Sequence, residues 1–332
     1  MKKVSIIIPN YNNSKYIEDC LNSATKQDYP EKEIIVVDDG STDDSVEKVE
    51  KYIKNNKNDD VRLIQQSNLN AAIARNNGMK NAAGDYVLFL DSDDLLEEGV
   101  LKRMVEYYEK DKTDLVVGGY KEIDEKGHVY GNKRLTNDQA VLEADKDFIR
   151  LMSIKPAPSN KLYDFNLIRE NNLTWDNVRI GQDLNFYLKY LSLCKKVSLI
   201  DLNIYKYRNT PNSMSRSFDF RIFDIVNVFE GVKKYYAQHK KERLFAHYIP
   251  MCALKHYSNQ MDKQVYYHSF RERKLIVNYF SVCEKQLDYS KCVVNSDFKK
   301  LHTKFIIKRT LWPIFTSKLY YAYIIRKKRS NG

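Results

Sequence analysis

No stretch of about eighteen consecutive apolar residues occurs in this 332-residue chain, so a helix crossing a bilayer is not expected. Met1-Lys2-Lys3 and the apolar run Val4 to Ile8 are cut short by Pro9 and Asn10, before a secretory signal core could form, and no export signal is expected. Cysteine is scarce. The five thiols (Cys20, Cys194, Cys252, Cys283 and Cys292) are odd in number, far apart and without a C-x-x-C pair, which argues against a disulfide framework or a zinc ribbon. They fit buried, reduced side chains of a cytoplasmic protein. Missing as well is G-x-G-x-x-G: the first apolar run leads into Pro9-Asn10-Tyr11-Asn12-Asn13, which excludes a dinucleotide-binding turn there.

What is present describes a folded protein. Hydrophobic residues make up 43% and charged residues 30%, ordinary proportions for a globular chain. The length predicts more than one module, divided here into residues 1–217 and 218–332. The net charge of +11 is unevenly spread. From Asp219 onward 23 Lys/Arg face 9 Asp/Glu, whereas residues 1–218 carry 32 against 35. The basic character therefore belongs to the second module.

Val4 to Ile8, Glu33 to Val37, Val61 to Ile64, Tyr86 to Leu90 and Leu115 to Val117 are short, β-branched or aromatic, and bounded by polar turn residues. This pattern predicts buried strands. Between them, Ile17, Cys20, Leu21 and Ala24 fall at helical spacing, as do Val46, Val49, Tyr52 and Ile53, and Val100, Leu101, Met104, Val105 and Tyr108. Such alternation predicts an α/β fold: a Rossmann-like, mostly parallel central sheet with helices on both faces and ligands bound beyond the carboxyl ends of its strands. From Tyr120 to Pro158 the pattern loosens into loops, a hairpin around Lys126-Gly127 and a short helix. A helix near Asp183 to Leu193 and a strand Val197 to Ile200 follow. After Asp219 the chain reads as helical, polar and Tyr-rich.

Acidic clusters sit where strands end: Asp38-Asp39-Gly40-Ser41-Thr42-Asp43 after Val37, Asp91-Ser92-Asp93-Asp94 after Leu90, and Asp183 where a later helix opens. Carboxylates two positions apart at Asp91 and Asp93 are hard oxygen ligands suited to Mn²⁺ or Mg²⁺ shared with a substrate phosphate. The plainer alternatives are that Asp93 or Asp94 caps a helix beginning near Leu95, that Asp43 or Ser41 starts the helix after the second strand, and that Asp183 is itself a helix cap.

Together these segments resemble family 2 of the inverting glycosyltransferases, with the GT-A fold. The matching stretches are Val4 to Asn12, Ile35 to Asp43, Ala74 to Gly78 and Ala83 to Asp94, with a weaker likeness through Asn160 to Tyr163, Gly181 to Phe186, and Tyr207 to Ser215. The resemblance implies transfer of a sugar from a nucleotide-diphosphate sugar, UDP-sugar favoured, to an acceptor hydroxyl. It implies Pro9 and Tyr11 around the nucleoside, Asp39 on a pyrimidine N3–H, Arg75 facing the donor, and Asp91 and Ser92 near the ribose or metal. Asp93 would be the principal ligand of Mn²⁺ or Mg²⁺, and Asp183 the base that takes the acceptor proton. Arg208, Ser213 and Ser215 would lie on a loop over the diphosphate. Two departures stand out: Gln182 precedes Asp183 where Glu is common, and Asn70 replaces a frequent Gly. A nucleotidyltransferase on a related α/β fold and a non-catalytic nucleotide-sugar binding protein are the competing readings. The lack of a Gly-rich triphosphate loop counts against the first.

Residues 299–329 mix Lys304, Lys308, Arg309, Lys318 and Arg326 to Arg329 with Phe305, Trp312, Phe315 and Tyr320. A basic amphipathic segment of this kind suits an anionic membrane surface, while packing of its aromatics within the helical module is the alternative. The helical module is expected to serve acceptor, oligomer or membrane-surface contact. A cytoplasmic site at the inner face of the membrane would suit a glycan or lipid-linked glycan acceptor, as in surface polysaccharide or teichoic-acid-like polymers. No nucleic-acid partner is expected, because no nucleic-acid-binding fold accompanies the charge.

Overall fold

A computed structural model describes residues 1–57, 60–135, 139–210, 223–264, 270–293 and 296–311. The chain divides into two compact units, Met1–Arg216 and Ser217–Gly332. The first runs β1 (Val4–Asn10), α1 (Ile17–Thr25), β2 (Lys32–Asp38), α2 (Ser45–Asn55), β3 (Val61–Gln65), α3 (Ala71–Asn81), β4 (Tyr86–Phe89), β5 (Leu95–Leu96), α4 (Val100–Asp111), β6 (Leu115–Ile123), β7 (Val129–Lys133), β8 (Ala140–Glu143), α5 (Phe148–Met152), β9 (Lys161–Asp164), α6 (Phe165–Glu170), α7 (Gln182–Leu191) and β10 (Lys196–Arg208).

The described strands form one sheet in the order β3-β2-β1-β4-β9-β6-β10-β5, with β7 on β6 and β8 on β10. The β3-β2-β1-β4 portion is parallel, as is β6 with β10. β9 enters the middle antiparallel to both β4 and β6, so the sheet is mixed at its centre. Alternation in the buried strands sorts side chains between two helical layers. Ile6, Ile8, Val36, Leu88 and Leu90 pack with Ile17, Leu21, Leu101 and Met104 from α1 and α4. Ile35 and Val37 point the other way, against Ala74 of α3. α3 comes close because Gly78 has no side chain: a Cβ there would lie 2.4 Å from Ile7 Cγ2. That close approach brings Arg75, on the same helix, down onto the sheet.

The expected strands and helices of residues 1–120 are present within a few residues of their predicted limits. The hairpin around Lys126-Gly127 joins β6 to β7, with Gly127 N–H donating to Asp124 O at 3.0 Å. One capping expectation fails. Leu95–Leu96 pairs antiparallel with Tyr205 and Lys206 of β10, burying Leu96, and α4 starts only at Val100 after Gly99. Neither Asp93 nor Asp94 caps a helix, because the apolar pair that follows them is drawn into the sheet. Asp43 does serve α2, its Oδ1 accepting from Ser45 N–H at 3.0 Å.

The second unit comprises α8 (Ile225–Gln238), α9 (Glu242–Gln264), α10 (Phe270–Lys285) and α11 (Ser296–Leu311) among its described residues. Its core holds Val228, Phe229, Tyr236, Leu254, Tyr257, Phe280 and Phe305. All five cysteines of the chain are free and buried. Among the described residues no helix is long and apolar enough to cross a membrane. Most of the basic tail, from residue 312 on, lies outside the described residues.

Candidate active site

The carboxyl ends of β1, β2 and β4 lie side by side, so the loops that leave them converge. Pro9 is tolerated inside β1 because β4 pairs only as far as Ile7, leaving the missing N–H of Pro9 without a partner to disappoint. Beyond it, Tyr11 stands 46% exposed, open to a ligand. Asp38 is internal: its carboxylate accepts from Asn10 Nδ2 at 2.7 Å, Ser41 Oγ at 2.7 Å and Ser41 N–H at 2.9 Å, tying the β1 and β2 loops together.

Asp39 is 3% exposed and anchors the loop before α3. Its Oδ1 accepts from Gln66 Nε2 and Leu69 N–H, each at 2.8 Å, and its Oδ2 from Asn70 N–H at 2.7 Å. Among the described residues two donors fill Oδ1, whereas Oδ2 keeps one acceptor position for a further donor. Asn70 adopts φ +90°, ψ 164°, backbone space that belongs almost solely to glycine. The asparagine has a compensating use: its side chain accepts from Ala72 N–H and Ile73 N–H, capping α3, and donates to Asn177 Oδ1 at 2.6 Å.

After β4, Asp91 and Ser92 turn inward. Ser92 is buried, its Oγ accepting from Asn13 Nδ2 at 2.8 Å, which joins this loop to the one after β1. Asp94 Oδ1 accepts from Arg208 N–H at 2.8 Å. Arg208, 3% exposed, also donates from Nε to Asp93 O at 2.9 Å and from Nη1 to Glu125 O at 2.8 Å, and lies over the Tyr16 ring. Its guanidinium thus holds the acidic loop to the β6–β7 turn. Ser213 and Ser215 lie outside the described residues.

Arg75 connects the two acidic centres. It is 5% exposed, not at the surface, and lies over the Trp175 ring at 4.5 Å. Its Nη2 donates to Asp91 Oδ1 at 2.7 Å while Nη1 is 3.6 Å from Asp183 Oδ1. Burial works against its charge, but Asp91 and Asp183 more than offset that and hold it protonated. Asp183 is in the first turn of α7, where Gly181 is the cap residue and no side-chain cap bond forms. The alternative of a helix-capping aspartate therefore does not describe it. Trp175 fixes the approach to α7: it stacks on Phe186 with centroids 4.1 Å apart, and its backbone exchanges hydrogen bonds with Asn76 at 2.8 and 2.9 Å.

The carboxylates of this region are desolvated and crowd one another. Asp183 keeps 41% of its side chain exposed, yet desolvation by its surroundings, with Arg75 opposing and Asp91 adding to it, raises its pKa above the usual carboxylate range. A carboxylate raised in this way is a stronger base. Burial, and then the charge of Asp91, push Asp93 up to about 6, and Asp94 is raised by burial with Asp93 and Asp91 beside it. Crowded carboxylates that resist ionising together are what a divalent cation relieves. Among the described residues no three His, Cys, Asp or Glu side chains converge to hold a metal alone. The set fits an ion held by one or two carboxylates and completed by phosphate oxygens and water.

Sequence reasoning singled out the aspartates and Arg75, but not Trp175, Asn76 or Lys155. Lys155 Nζ sits 3.9 Å from the Tyr120 ring centroid and 4.3 Å from that of Tyr207, within the field of Asp94, Glu122, Asp183 and Asp91.

Comparison with known proteins gives a consistent result. The family model described as glycosyl transferase family 2 matches residues 5–173. GlyG of Streptococcus pneumoniae, a glycosyltransferase, is 31% identical over 243 residues, covering 68% of this chain and 78% of GlyG. TarS of Staphylococcus aureus, a poly(ribitol-phosphate) β-N-acetylglucosaminyltransferase, is 30% identical over 210 residues, 62% of this chain and 35% of TarS. A crystal structure of TarS residues 1–349 with UDP superposes with a TM-score of 0.63 at 20% identity, covering 92% of this chain and 91% of that one. The mannosyltransferase PcManGT of Pyrobaculum calidifontis, solved with GDP-Man and Mn²⁺, superposes with a TM-score of 0.52 at 15% identity over 96% and 88% of the two chains. Matches to two further bacterial glycosyltransferases span only 62% and 32% of their length. The shared fold is of the GT-A type.

Proposed function

Since the chain belongs to glycosyl transferase family 2 and is a glycosyltransferase, we propose that it moves a sugar from a UDP-sugar onto an acceptor hydroxyl with inversion, with Asp183 as base. The observation that carries this reading is the bridge made by Arg75, which ties Asp183 to Asp91 although the two are far apart in sequence. Tyr11, open at the end of β1, and the free acceptor position of Asp39 Oδ2 support a nucleoside site with a pyrimidine N3–H on Asp39. Asp93, with Asp91, would hold Mn²⁺ or Mg²⁺. Such an ion, when bound, neutralises charge that gathers on the diphosphate. Ser92 fixes the turn between those two ligands through Asn13.

In the reaction the acceptor oxygen attacks the anomeric carbon as the bond from that carbon to the diphosphate oxygen breaks. The acceptor proton passes to the Asp183 carboxylate, and UDP departs. Arg75 orients that carboxylate and, by its charge, opposes the upward push that burial gives the Asp183 pKa. The acceptor is a glycan or polyol-phosphate polymer of the cell surface, a reading supported by the poly(ribitol-phosphate) acceptor in the name of TarS. Residues 299–329 would bring the enzyme to an anionic membrane surface bearing that acceptor. The test is isothermal calorimetry with UDP, with and without Mn²⁺, together with release of UDP from UDP-sugars. Binding independent of metal and no release from any UDP-sugar would sink the proposal. The non-catalytic alternative makes a different forecast, since a binding protein would hold UDP without releasing it from any sugar.

A further inference from the structure

Lys155 has a flexible four-carbon stem and lies in the field of four carboxylates, yet among the described residues its Nζ forms neither an ion pair nor a hydrogen bond. A lysine whose work was to neutralise Asp94, Glu122, Asp183 or Asp91 would reach one of them. Instead the ammonium rests on the faces of Tyr120 and Tyr207, where the ring quadrupoles hold a cation without using its N–H groups. The residue is exposed to solvent, and both rings are half-buried. Neither tyrosine hydroxyl has a hydrogen-bond partner among the described residues. Although the residue as a whole is exposed, its packed surroundings desolvate the ammonium and draw its pKa down, while Asp94, Glu122, Asp183 and Asp91 pull it back toward the charged form.

The backbone under Lys155 is fixed by a second lysine. Lys161 is fully buried, and its three ammonium hydrogens go to Lys155 O at 2.8 Å, Ala157 O at 2.8 Å and Asn160 Oδ1 at 2.7 Å. Its Nζ lies over the Tyr187 ring at 4.6 Å, and Asn160 Nδ2 donates to Gly118 O at 2.8 Å. Burying an ammonium is costly unless every donor is satisfied, as here. The result is a fixed loop that carries the Lys155 ammonium over Tyr207, next in sequence to Arg208, whose backbone N–H bonds Asp94. Pre-set donors of this sort are what recognition of a charged group requires.

We propose that Lys155, seated on Tyr120 and Tyr207, binds a phosphate oxyanion next to the acidic Asp91–Asp94 loop. This rests on the glycosyltransferase reading and adds to it a recognition element for phosphate. Two sources share that chemistry, the donor diphosphate and a phosphate on the acceptor. The full chain is titrated as wild type, Lys155→Met and Lys155→Arg, first with UDP and Mn²⁺ by calorimetry, then with glycerol 3-phosphate or glycerol added to the UDP–Mn²⁺ complex and followed by NMR. Lys155→Met should weaken UDP or glycerol 3-phosphate at least tenfold, with Lys155→Arg within about threefold of wild type and glycerol unaffected. Loss in the first titration assigns the donor diphosphate, loss in the second the acceptor. If Lys155→Met binds both phosphates as wild type does, with an unchanged melting temperature, the proposal is overturned while the functional reading stands. If wild type binds no UDP in the presence of Mn²⁺, both fall together.

Discussion

Replacing Asp183 by Asn keeps the shape of the side chain and removes only its capacity to take a proton. General-base catalysis contributes roughly 10² to 10⁴ in rate, so kcat should fall by that factor, an increase in barrier of about 2.7 to 5.4 kcal/mol. The fold should tolerate the change. Among the described residues Asp183 makes one ion pair, 3.6 Å from Arg75, with 41% of the side chain exposed. After solvent screening such a pair contributes about 1 kcal/mol at most. Opposing that loss, the folded-state pKa of Asp183 lies above its unfolded value. Its stabilising contribution is therefore present only below the unfolded pKa and is lost as pH rises through the folded one, so at pH 7 the carboxylate weighs against the fold. The amide removes that burden. Melting temperature should then stay within about 4 °C of wild type, and the UDP dissociation constant within about threefold, because Arg75 remains bonded to Asp91. The assay pairs calorimetric UDP binding with initial rates of UDP release from a UDP-sugar. Activity of the asparagine variant within about tenfold of wild type, with UDP binding intact, would remove Asp183 from the role of base.

Three further expectations follow from the same geometry. With Asp93 at about 6, stability from its protonated form is full below the ordinary carboxylate range and is lost as pH rises through 6. A bound cation relieves that loss, so the rise in melting temperature given by Mn²⁺ with UDP should be largest at pH 7 and shrink at pH 5; equal shifts at both would remove Asp93 from the metal. Asp39→Ala strands the N–H groups of Leu69 and Asn70, whose unsatisfied donors cost about 1 to 3 kcal/mol each when buried. Urea unfolding should show a loss above about 1 kcal/mol together with weaker UDP binding, and a smaller loss would mean the loop does not depend on this carboxylate. Finally, sedimentation with anionic vesicles should be stronger for the full chain than for one ending at residue 298; equal sedimentation would take the basic tail out of membrane contact.

The parallel half of the sheet was legible because its strands are buried on both faces and so read as short β-branched runs. α1, α2 and α4 were legible because each shows one face to solvent. α3 lacks that stripe: Ala72, Ala74, Arg75 and Gly78 are buried around it, two of them small and one charged. Its periodicity therefore says little, and only the resemblance placed Arg75 on a helix. β9 and β8 are four residues each, in a segment broken by glycine and proline, too short for alternation to mark them as strands. The strand read as Val197 to Ile200 continues as β10 to Arg208 across irregular pairing near Asn203, which hides the alternation. The acidic clusters stood out by composition, but their division of labour did not. Whether Asp38 or Asp39 retains a free acceptor position depends on Ser41, Gln66 and Leu69, whose backbone and side-chain donors no spacing rule connects. Lys155 escapes sequence reading for a related reason, and Lys161 shows only as part of the Asn160 to Tyr163 likeness, because what distinguishes both is which donors are satisfied.

α3 reaches the segment before the proposed base at three heights: Asn70 on Asn177, Asn76 on the backbone of Trp175, and Arg75 on Asp183 itself. Anyone grafting the 171–183 stretch from another transferase to alter acceptor choice would transplant only half of a matched set. Positions 70, 75 and 76 would have to travel with it, and a library that varies both segments jointly should yield active chimeras where one varying the loop alone does not.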